Sequence, residues 1–184
     1  MILDRDGVIN EDSDDYIKSP EEWHAIDGSL GAIAKLNQAG FKVVVATNQS
    51  GVARGLFSKE TLHAIHEKME NEIEKVGGHL DGIYICMHHP NDDCDCRKPK
   101  TGLFEKIKHD FPAEFDSAIL IGDSFKDVET AHNMHCTPAL VLTGKGEKTL
   151  HEHPELKNEI HIFENLSAAA NFILRRNPHG KQND

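Results

Sequence analysis

Two aspartates near the start of the chain, Asp4 and Asp6, are separated by one residue and followed by Gly7. If the chain turns at this glycine, both carboxylates can converge on one centre. One of them could then attack a phosphorus atom while the other handles the leaving-group proton. A Mg²⁺ ion nearby would keep Asp4 ionised and screen its repulsion from a phosphate. Taken alone, such a sequence is equally typical of a surface turn, because Asp and Gly are common turn residues.

Later segments supply further groups that a phosphoryl-transfer site needs. Thr47 offers a hydroxyl and a backbone N–H to a phosphoryl oxygen, Lys98 offers a compact positive charge, and Arg97 offers a forked guanidinium. Asp123 could bind Mg²⁺ directly, whereas Asp127, at a predicted helix start, is expected to orient its neighbours or cap the helix. Each segment is weak evidence alone, but together and in this order they predict a phosphate site.

A cysteine-rich loop at residues 86–96 has the composition of a metal site. Four good zinc ligands lie within it: Cys86, His88, Cys94 and Cys96. Three thiolates and one imidazole would close a tetrahedral structural Zn²⁺ site, which leaves no position for a catalytic water. The loop is polar and has little apolar material to pack, so the metal would order it. Because Arg97 and Lys98 follow directly, the zinc would also position these two cations.

Apolar runs and helical patterns alternate along the chain and must position these residues. Short apolar runs predict strands at 1–3, 41–46, 83–86, 118–121 and 139–142. Apolar spacing predicts helices near 30–34, across 62–76 with Ser58 as the N-cap, and at 103–107, 127–134 and 166–173. This alternation predicts an α/β fold, with three layers built on a Rossmann-like parallel sheet. The polar segments follow the strands, where ligands of such sheets bind.

The composition bounds the partners of the protein. The 184 residues carry 20 Lys and Arg against 31 Asp and Glu, a net charge of −11. Such a charge argues against binding of nucleic acid or an acidic membrane surface, and leaves a small phosphorylated substrate as the expected partner. No apolar run approaches the roughly 18–20 residues that span a bilayer, and we expect no signal peptide. Clustered cysteines without a disulfide pattern favour a reducing cytoplasm.

The ordered set of motifs resembles the haloacid dehalogenase superfamily of phosphotransferases over residues 1 to about 143. The resemblance implies that Asp4 is the nucleophile and becomes an aspartyl-phosphate, and that Asp6 acts as general acid and then as base. Thr47 and Lys98 would stabilise the phosphoryl group. Mg²⁺ would be held by Asp4, the backbone carbonyl of Asp6, and Asp123. It also implies a single phosphatase domain of this type over 1–176, with the zinc loop inserted, no large cap, and a polar tail at 177–184.

Within the superfamily, the loop that ends in C-D-C-R-K-P resembles two families, the heptose bisphosphate phosphatases and the histidinol-phosphate phosphatases. Residues 47–55 are more similar to the heptose family, which implies contacts to a sugar phosphate. The substrate-binding residues implied in this way are Asp12, Ser13, Asp14, Asp15, Asn48, Gln49, Ser50 and Arg97. One position departs from some heptose enzymes, because Ser124 stands where they carry a lysine after the motif-four aspartate.

The resemblance implies a Mg²⁺-dependent, zinc-stabilised phosphatase, a cytoplasmic monomer that removes the 7-phosphate of D-glycero-D-manno-heptose 1,7-bisphosphate for lipopolysaccharide synthesis. Two other interpretations stay open. The protein could be a histidinol-phosphate or other small-molecule phosphatase, since the chemical core would be the same. It could also be a zinc-stabilised interaction module, which predicts no phosphatase activity and no Mg²⁺ dependence.

Overall fold

A computed structural model describes residues 1–176 of the chain, so the tail predicted at 177–184 lies outside the described residues. The strands are β1 Ile2–Leu3, β2 Val44–Asn48, β3 Gly82–Cys86, β4 Ile119–Gly122, β5 Thr137–Val141 and β6 His161–Phe163. They form one parallel sheet in the order β3-β2-β1-β4-β5-β6. The order reverses beside β1, which places the start of the chain at the centre of the sheet.

Helices cover both faces of the sheet. They are α1 Ser29–Gln38, α2 Lys59–Lys75, α3 Gly102–Asp110, α4 Pro112–Phe115, α5 Phe125–Asn133, α6 Gly146–Glu152, α7 Leu156–Glu159 and α8 Leu166–Arg176, with a 3-10 turn at Pro20–Glu22. Residues of α1, α2 and α8 pack into one apolar core, and residues of α3, α4 and α5 pack into a second. The three-layer α/β fold predicted from the sequence is confirmed.

Alternating strand residues divide between the two cores. Leu3 lies beside Val45 and Ile121 in the sheet, and all three belong to the core under α1, α2 and α8. Their preceding neighbours, with Ile2 at the centre, belong to the opposite core. Successive side chains of a strand point to opposite faces, so a sheet covered on both sides needs apolar residues at every position. That requirement explains the continuous apolar run before Asp4.

Helix α2 follows the sequence prediction closely. The Ser58 hydroxyl accepts a hydrogen bond from the backbone N–H of Thr61 at 3.1 Å, which caps the helix. Gly77 follows the helix with φ of 80°, a left-handed conformation that glycine adopts without a Cβ penalty. Four of the apolar residues predicted for its inner face are buried, namely Leu62, Ile65, Met69 and Ile73, whereas Val76, just past the helix end, is 47% exposed. His66 is buried with the four, at 4% exposure. The sequence leaves His66 as either solvated or packed, and the structure shows that it is packed.

Some elements lack a local sequence signal. Strand β6 has only three residues, and α6 contains four charged or histidine side chains among seven residues, so neither shows a clear apolar period. Over residues 1–176 we find no cap domain above the carboxyl end of the sheet, because the segments there are loops and short helices. No helix in this described part of the chain has the length and apolarity needed to cross a membrane.

Candidate active site

The polar segments that follow β1, β2 and β4 meet at the carboxyl end of the sheet. Asp4 comes directly after β1, and its backbone N–H donates to the Ile121 carbonyl of β4 at 3.0 Å. Thr47 lies near the end of β2, and Asp123 follows β4. An open cleft of about 1350 Å³, counting its solvent-filled mouth, lies over these residues. The fold thus brings together motifs that are far apart in the sequence.

Three carboxylates converge at the floor of this cleft. Asp4, Asp123 and Asp127 each place an oxygen within 4.8 Å of the others. Burial, together with the neighbouring carboxylates, raises the pKa of Asp4 to about 7 and that of Asp123 to about 8. Ionised carboxylates this close repel one another, and a divalent cation would remove that repulsion. The arrangement therefore fits Mg²⁺ held by Asp4 and Asp123.

Lys98 is the cation that faces these carboxylates. Its ammonium lies 3.0 Å from Asp4 Oδ1 and 2.6 Å from Asp127 Oδ1, and its side chain is 2% exposed. Burial alone would lower the pKa of Lys98, but the charges of Asp127 and Asp4 outweigh burial and raise it. The Asn48 amide group accepts from the Lys98 backbone N–H at 3.1 Å and donates to the Lys98 carbonyl at 3.2 Å. Lys98 is consequently charged and fixed from both its ends.

Asp127 is engaged by neighbours on both of its oxygens. Oδ1 contacts the Lys98 ammonium, and Oδ2 accepts from the backbone N–H and the hydroxyl of Ser124 at 3.2 and 2.6 Å. Ser124 precedes α5, so this pair forms a capping box. The helix-capping and orienting position predicted for Asp127 is confirmed, and Asp123 keeps an oxygen free of protein partners among residues 1–176.

Several side chains hold the Asp6 carboxylate by hydrogen bonds. Its carboxylate accepts from the Arg5 guanidinium, from the Asn10 amide at 2.9 Å and from the Gln49 amide at 2.7 Å. Burial would raise the pKa of Asp6, but the Arg5 charge and these hydrogen bonds dominate and lower it. Gln49 also donates to the Thr47 hydroxyl at 2.9 Å. The resting carboxyl group of Asp6 is therefore ionised and fixed in direction.

The substrate-binding residues implied by resemblance mostly line the cleft. Those that do so are Asp12, Ser13, Asp14, Asn48, Gln49, Ser50 and Arg97. Asp15 is exposed and is not among the cleft residues. Arg97 lines the cleft, and its Nη1 is buried without a hydrogen-bond partner among residues 1–176, so this donor is unused by the described chain.

The sequence interpretation did not assign to the site three lysines and two aromatic residues that line the cleft: Lys126, Lys145, Lys148, Tyr16 and Phe125. Lys145 joins two predicted segments, because its ammonium lies 2.8 Å from Asp12 Oδ2 and its backbone N–H donates to Asp123 Oδ2 at 2.8 Å. Its position after β5, at the carboxyl end of the sheet, is the signal that could have identified it. The cleft is thus lined by five cationic side chains alongside its carboxylates: Arg97, Lys98, Lys126, Lys145 and Lys148.

Gly7 allows the turn and the close packing on which the site depends. It has φ of 78°, and a Cβ at this position would collide with the Asp123 carboxylate. Gly7→Ala should therefore reduce stability and displace Asp123, with a loss of activity of at least ~10-fold. Gly40→Ala is the matched control, because Gly40 has φ of 82° and open space around it. Its cost should be the left-handed strain alone, about 1 kcal/mol, with normal activity. Thermal melts and phosphate release measure both, and equal behaviour of the two variants would contradict this packing argument.

The predicted zinc ligands lie together in the structure. Cys86 Sγ is 3.7 Å from Cys94 Sγ, which is 3.6 Å from Cys96 Sγ, and His88 Nδ1 is 3.1 Å from Cys96 Sγ. Tetrahedral ligands about 2.3 Å from a zinc ion lie roughly 3.8 Å apart, so the cluster has nearly the required size. Burial and the neighbouring thiols raise the pKa of Cys96 to about 12. A dication would replace these protons, and the four residues fit Zn²⁺.

The cluster is joined to the cleft by the backbone. The Gln49 N–H donates to the carbonyl of Cys86, the first thiol of the cluster, at 2.7 Å. At the C-terminal end of the loop, the N–H of Gly102 donates to the Asp95 carbonyl at 2.8 Å. A Cβ on Gly102 would collide with that carbonyl oxygen. Lys98 lies between these two anchors. Order in the loop therefore controls where Lys98 and Arg97 stand.

Comparison with known proteins defines first the class and then the family. A family model described as HAD-hydrolase-like matches residues 95–169. Together with the parallel sheet and the carboxylates at its carboxyl end, this match defines a hydrolase of the haloacid dehalogenase type. The superfamily resemblance stated from the sequence is confirmed.

Relatives of nearly the same length identify the family. The chain is 47% identical over 175 residues to the D-glycero-beta-D-manno-heptose-1,7-bisphosphate 7-phosphatase of Bordetella bronchiseptica, covering 95% of this chain and 97% of that protein. It is 46% identical to the enzyme of the same name from Pseudomonas aeruginosa, with 95% and 97% covered. The crystal structure of the D,D-heptose 1,7-bisphosphate phosphatase from B. bronchiseptica, complexed with magnesium and phosphate, superposes with a TM-score of 0.92 at 46% identity, covering 96% and 98% of the two chains. The chain belongs to the D-glycero-beta-D-manno-heptose-1,7-bisphosphate 7-phosphatase family, and it is a phosphoric monoester hydrolase.

Proposed function

We propose that this enzyme removes the 7-phosphate of D-glycero-β-D-manno-heptose 1,7-bisphosphate in a Mg²⁺-dependent reaction that passes through an aspartyl-phosphate. The observation that carries the proposal is the buried contact between Lys98 and Asp4, beside Asp123, at the floor of a polar cleft. The relatives' names support the heptose substrate and its β anomer. The structural relative complexed with magnesium and phosphate supports the metal.

Asp4 is the proposed nucleophile. Its carboxylate oxygen bonds to phosphorus as the bond from phosphorus to the sugar oxygen breaks, and water then hydrolyses the aspartyl-phosphate. Mg²⁺ held by Asp4, Asp123 and the carbonyl oxygen of Asp6 would supply positive charge to the phosphoryl oxygens. Lys98 and the hydroxyl and N–H groups around Thr47 stabilise the same oxygens. Two lone carboxylates would repel the substrate, so these cations are essential.

Asp6 is the proposed proton carrier. In the first step its protonated form gives a proton to the departing sugar oxygen and becomes a carboxylate. In the second step this carboxylate takes a proton from the attacking water, which restores the acid. A phosphate dianion entering the cleft favours the protonated form by like-charge repulsion, whereas the Arg5 charge stabilises the carboxylate that remains afterwards.

The far phosphate and the sugar hydroxyls are proposed to meet the outer wall of the cleft. Arg97 lines the cleft, and its forked guanidinium is proposed to bind the anomeric phosphate with two hydrogen bonds. Ser50 and the acidic loop from Asp12 to Asp15 are proposed for the hydroxyls. We also propose a monomer with one domain over 1–176. A cytoplasmic role in supplying heptose for lipopolysaccharide rests on the family alone.

Substrate choice tests the proposal. We expect kcat/KM for the heptose bisphosphate to exceed that for histidinol phosphate by at least ~100-fold, because polar groups of the cleft would stay unpaired with the smaller substrate. Arg97→Ala should raise KM for the bisphosphate by roughly 10–100-fold, the worth of a charged hydrogen-bond pair, and change an aryl phosphate far less. The control is Arg54→Ala, an exposed arginine that does not line the cleft.

Comparable kcat/KM for the two substrates would favour a broader small-molecule phosphatase. Absence of any phosphatase activity in zinc-loaded protein supplied with Mg²⁺ would leave the interaction module as the remaining interpretation. An Arg97→Ala loss that is equal for the bisphosphate and the aryl phosphate would contradict the far-phosphate assignment.

Binding of Mg²⁺ should strengthen as the pH rises. In the metal-free protein the pKa of Asp4 is about 7 and that of Asp123 about 8, so both carboxyl groups hold protons at pH 6. Their raised values make the folded state bind more protons than the unfolded one above about pH 4, so metal-free stability falls as the pH approaches 8. Because Mg²⁺ replaces these protons, its stabilising effect should be larger at pH 8 than at pH 6.

Thermal melts of zinc-loaded protein with and without Mg²⁺, at both pH values, measure this effect. Asp123→Asn should abolish most of the Mg²⁺-dependent increase in Tm at either pH. An increase that is equal at the two pH values, or larger at pH 6, would argue against Asp4 and Asp123 as the magnesium ligands.

A further inference from the structure

A buried arginine lies next to the proposed proton carrier. Arg5 is fully buried, and its Nε and Nη2 atoms donate to Asp6 Oδ1 at 3.0 and 2.9 Å, with Nη2 also 3.0 Å from Oδ2. The remaining arm, Nη1, lies 3.1 Å from Nε2 of His66. The guanidinium therefore joins the catalytic loop to helix α2, which is 61 residues away in the sequence.

The contact with His66 has a defined direction. A guanidinium can only donate, so the imidazole must accept through the lone pair of Nε2 and is neutral, with its proton on Nδ1. Burial, and then the Arg5 charge, lower the pKa of His66 to about 3, so the acceptor is maintained over the whole physiological pH range. His66 thus fixes the plane of the guanidinium without adding a second positive charge.

A histidine is unexpected at this position of α2. Its neighbours on the buried face are Ile65, Met69 and Leu62, and a polar group buried among them costs free energy unless it is hydrogen-bonded. A leucine would fill the space but would leave the buried Arg5 Nη1 without this contact. Arg5 is the side-chain partner of His66 among the described residues, so the histidine is explained by the arginine that it orients.

We infer that Arg5 and His66 are positioning residues that hold the Asp6 carboxylate in the direction needed for its proton transfers. Arg5 grips both oxygens of Asp6, while Asn10 and Gln49 each bind one, so the carboxylate cannot rotate without breaking several bonds. Correct placement of an acid contributes to catalysis as much as its pKa does. The inference rests on the proposed role of Asp6 in protonating the leaving group.

Leaving-group dependence separates positioning from a merely structural role. Phenyl phosphate and p-nitrophenyl phosphate have similar shapes. Phenolate is a much more basic leaving group than p-nitrophenolate, so its departure depends more on protonation by an acid. His66→Leu should lower kcat/KM for phenyl phosphate about 10-fold or more and for p-nitrophenyl phosphate less than about 3-fold, with KM little changed. His66→Gln, whose side-chain oxygen can accept from Arg5, should restore most of the loss. His63→Leu is the control, since His63 lies on the same helix with its side chain 75% exposed.

Asp6→Asn separates a failure of the positioning role of His66 from a failure of the proposed proton-transfer role of Asp6. It should show a larger leaving-group dependence than any His66 variant, because it removes the acid itself. If Asp6→Asn loses activity equally on both substrates, the proposed proton-transfer role of Asp6 is wrong. If Asp6→Asn shows the dependence and His66→Leu loses activity equally on both substrates, or not at all, our inference fails while the proposed function stands.

A second variant tests the inference in case His66→Leu does not fold. Arg5→Lys keeps the buried charge but cannot bind both oxygens of Asp6 and His66 together. It should show the same substrate-dependent loss, in protein whose zinc content and circular dichroism match the wild type. A loss that is equal on both aryl phosphates in this variant would overturn the inference.

Discussion

Asp4→Asn is expected to reduce phosphate release by at least ~10⁴-fold, because an amide cannot serve as the nucleophile toward phosphorus. The substitution is nearly isosteric. It removes one of three converging carboxylates, and burial already raises the pKa of Asp4 to about 7, so the fold should tolerate the neutral side chain. The effect should therefore lie in kcat rather than in stability. Phosphate release under saturating substrate, together with a thermal melt, measures both quantities.

The intermediate gives an independent measurement of the same assignment. Wild-type enzyme quenched in acid during turnover should carry one added phosphoryl group on the peptide that contains Asp4, and Asp4→Asn should carry none. Asn48→Ala serves as the contrast, because it weakens the support of the Lys98 backbone without touching the nucleophile. Phosphate release by Asp4→Asn within a few-fold of wild type would sink the nucleophile assignment.

Loss of the zinc site should have the second largest effect, acting on stability and activity together. Purified protein should contain about one zinc per chain. Cys94→Ser should lower Tm by roughly 10 °C, since structural zinc contributes several kcal/mol of folding free energy. It should also reduce kcat, because the loop that binds the metal leads directly into Arg97 and Lys98. Metal analysis, thermal melts and phosphate release measure these three quantities.

The chain offers matched controls for this experiment. Cys136 is a buried cysteine outside the cluster, and Cys136→Ser should leave zinc content and activity unchanged. His88→Ala should lose zinc, whereas His89→Ala should keep it, because the His89 ring accepts a hydrogen bond from the Asn91 backbone and stands apart from the thiols. Full activity and normal stability in zinc-free protein would be fatal to the zinc assignment.

Local patterns in the sequence were sufficient to predict which residues carry the chemistry and where most of the strands and helices lie. The buried strands and helix α2 could be predicted because periodicity and capping depend on residues close together in the chain. The zinc ligands could be predicted because four donors lie within one loop. Asp4, Thr47 and Asp123 could be predicted because each lies at or just after the carboxyl end of a strand, and these ends of parallel strands meet at one edge.

Only the tertiary structure decided which of these side chains form hydrogen bonds with one another. Asn48 is predicted from the resemblance as a substrate ligand, and only the structure shows that its amide also binds the Lys98 backbone. The sequence leaves His66 as either solvated or packed, and only the structure shows that it is packed and accepts from Arg5, which holds Asp6. A local pattern reports only the face on which a side chain lies. Which partner that face meets depends on strand order and helix packing, and these bring together residues that are far apart along the chain.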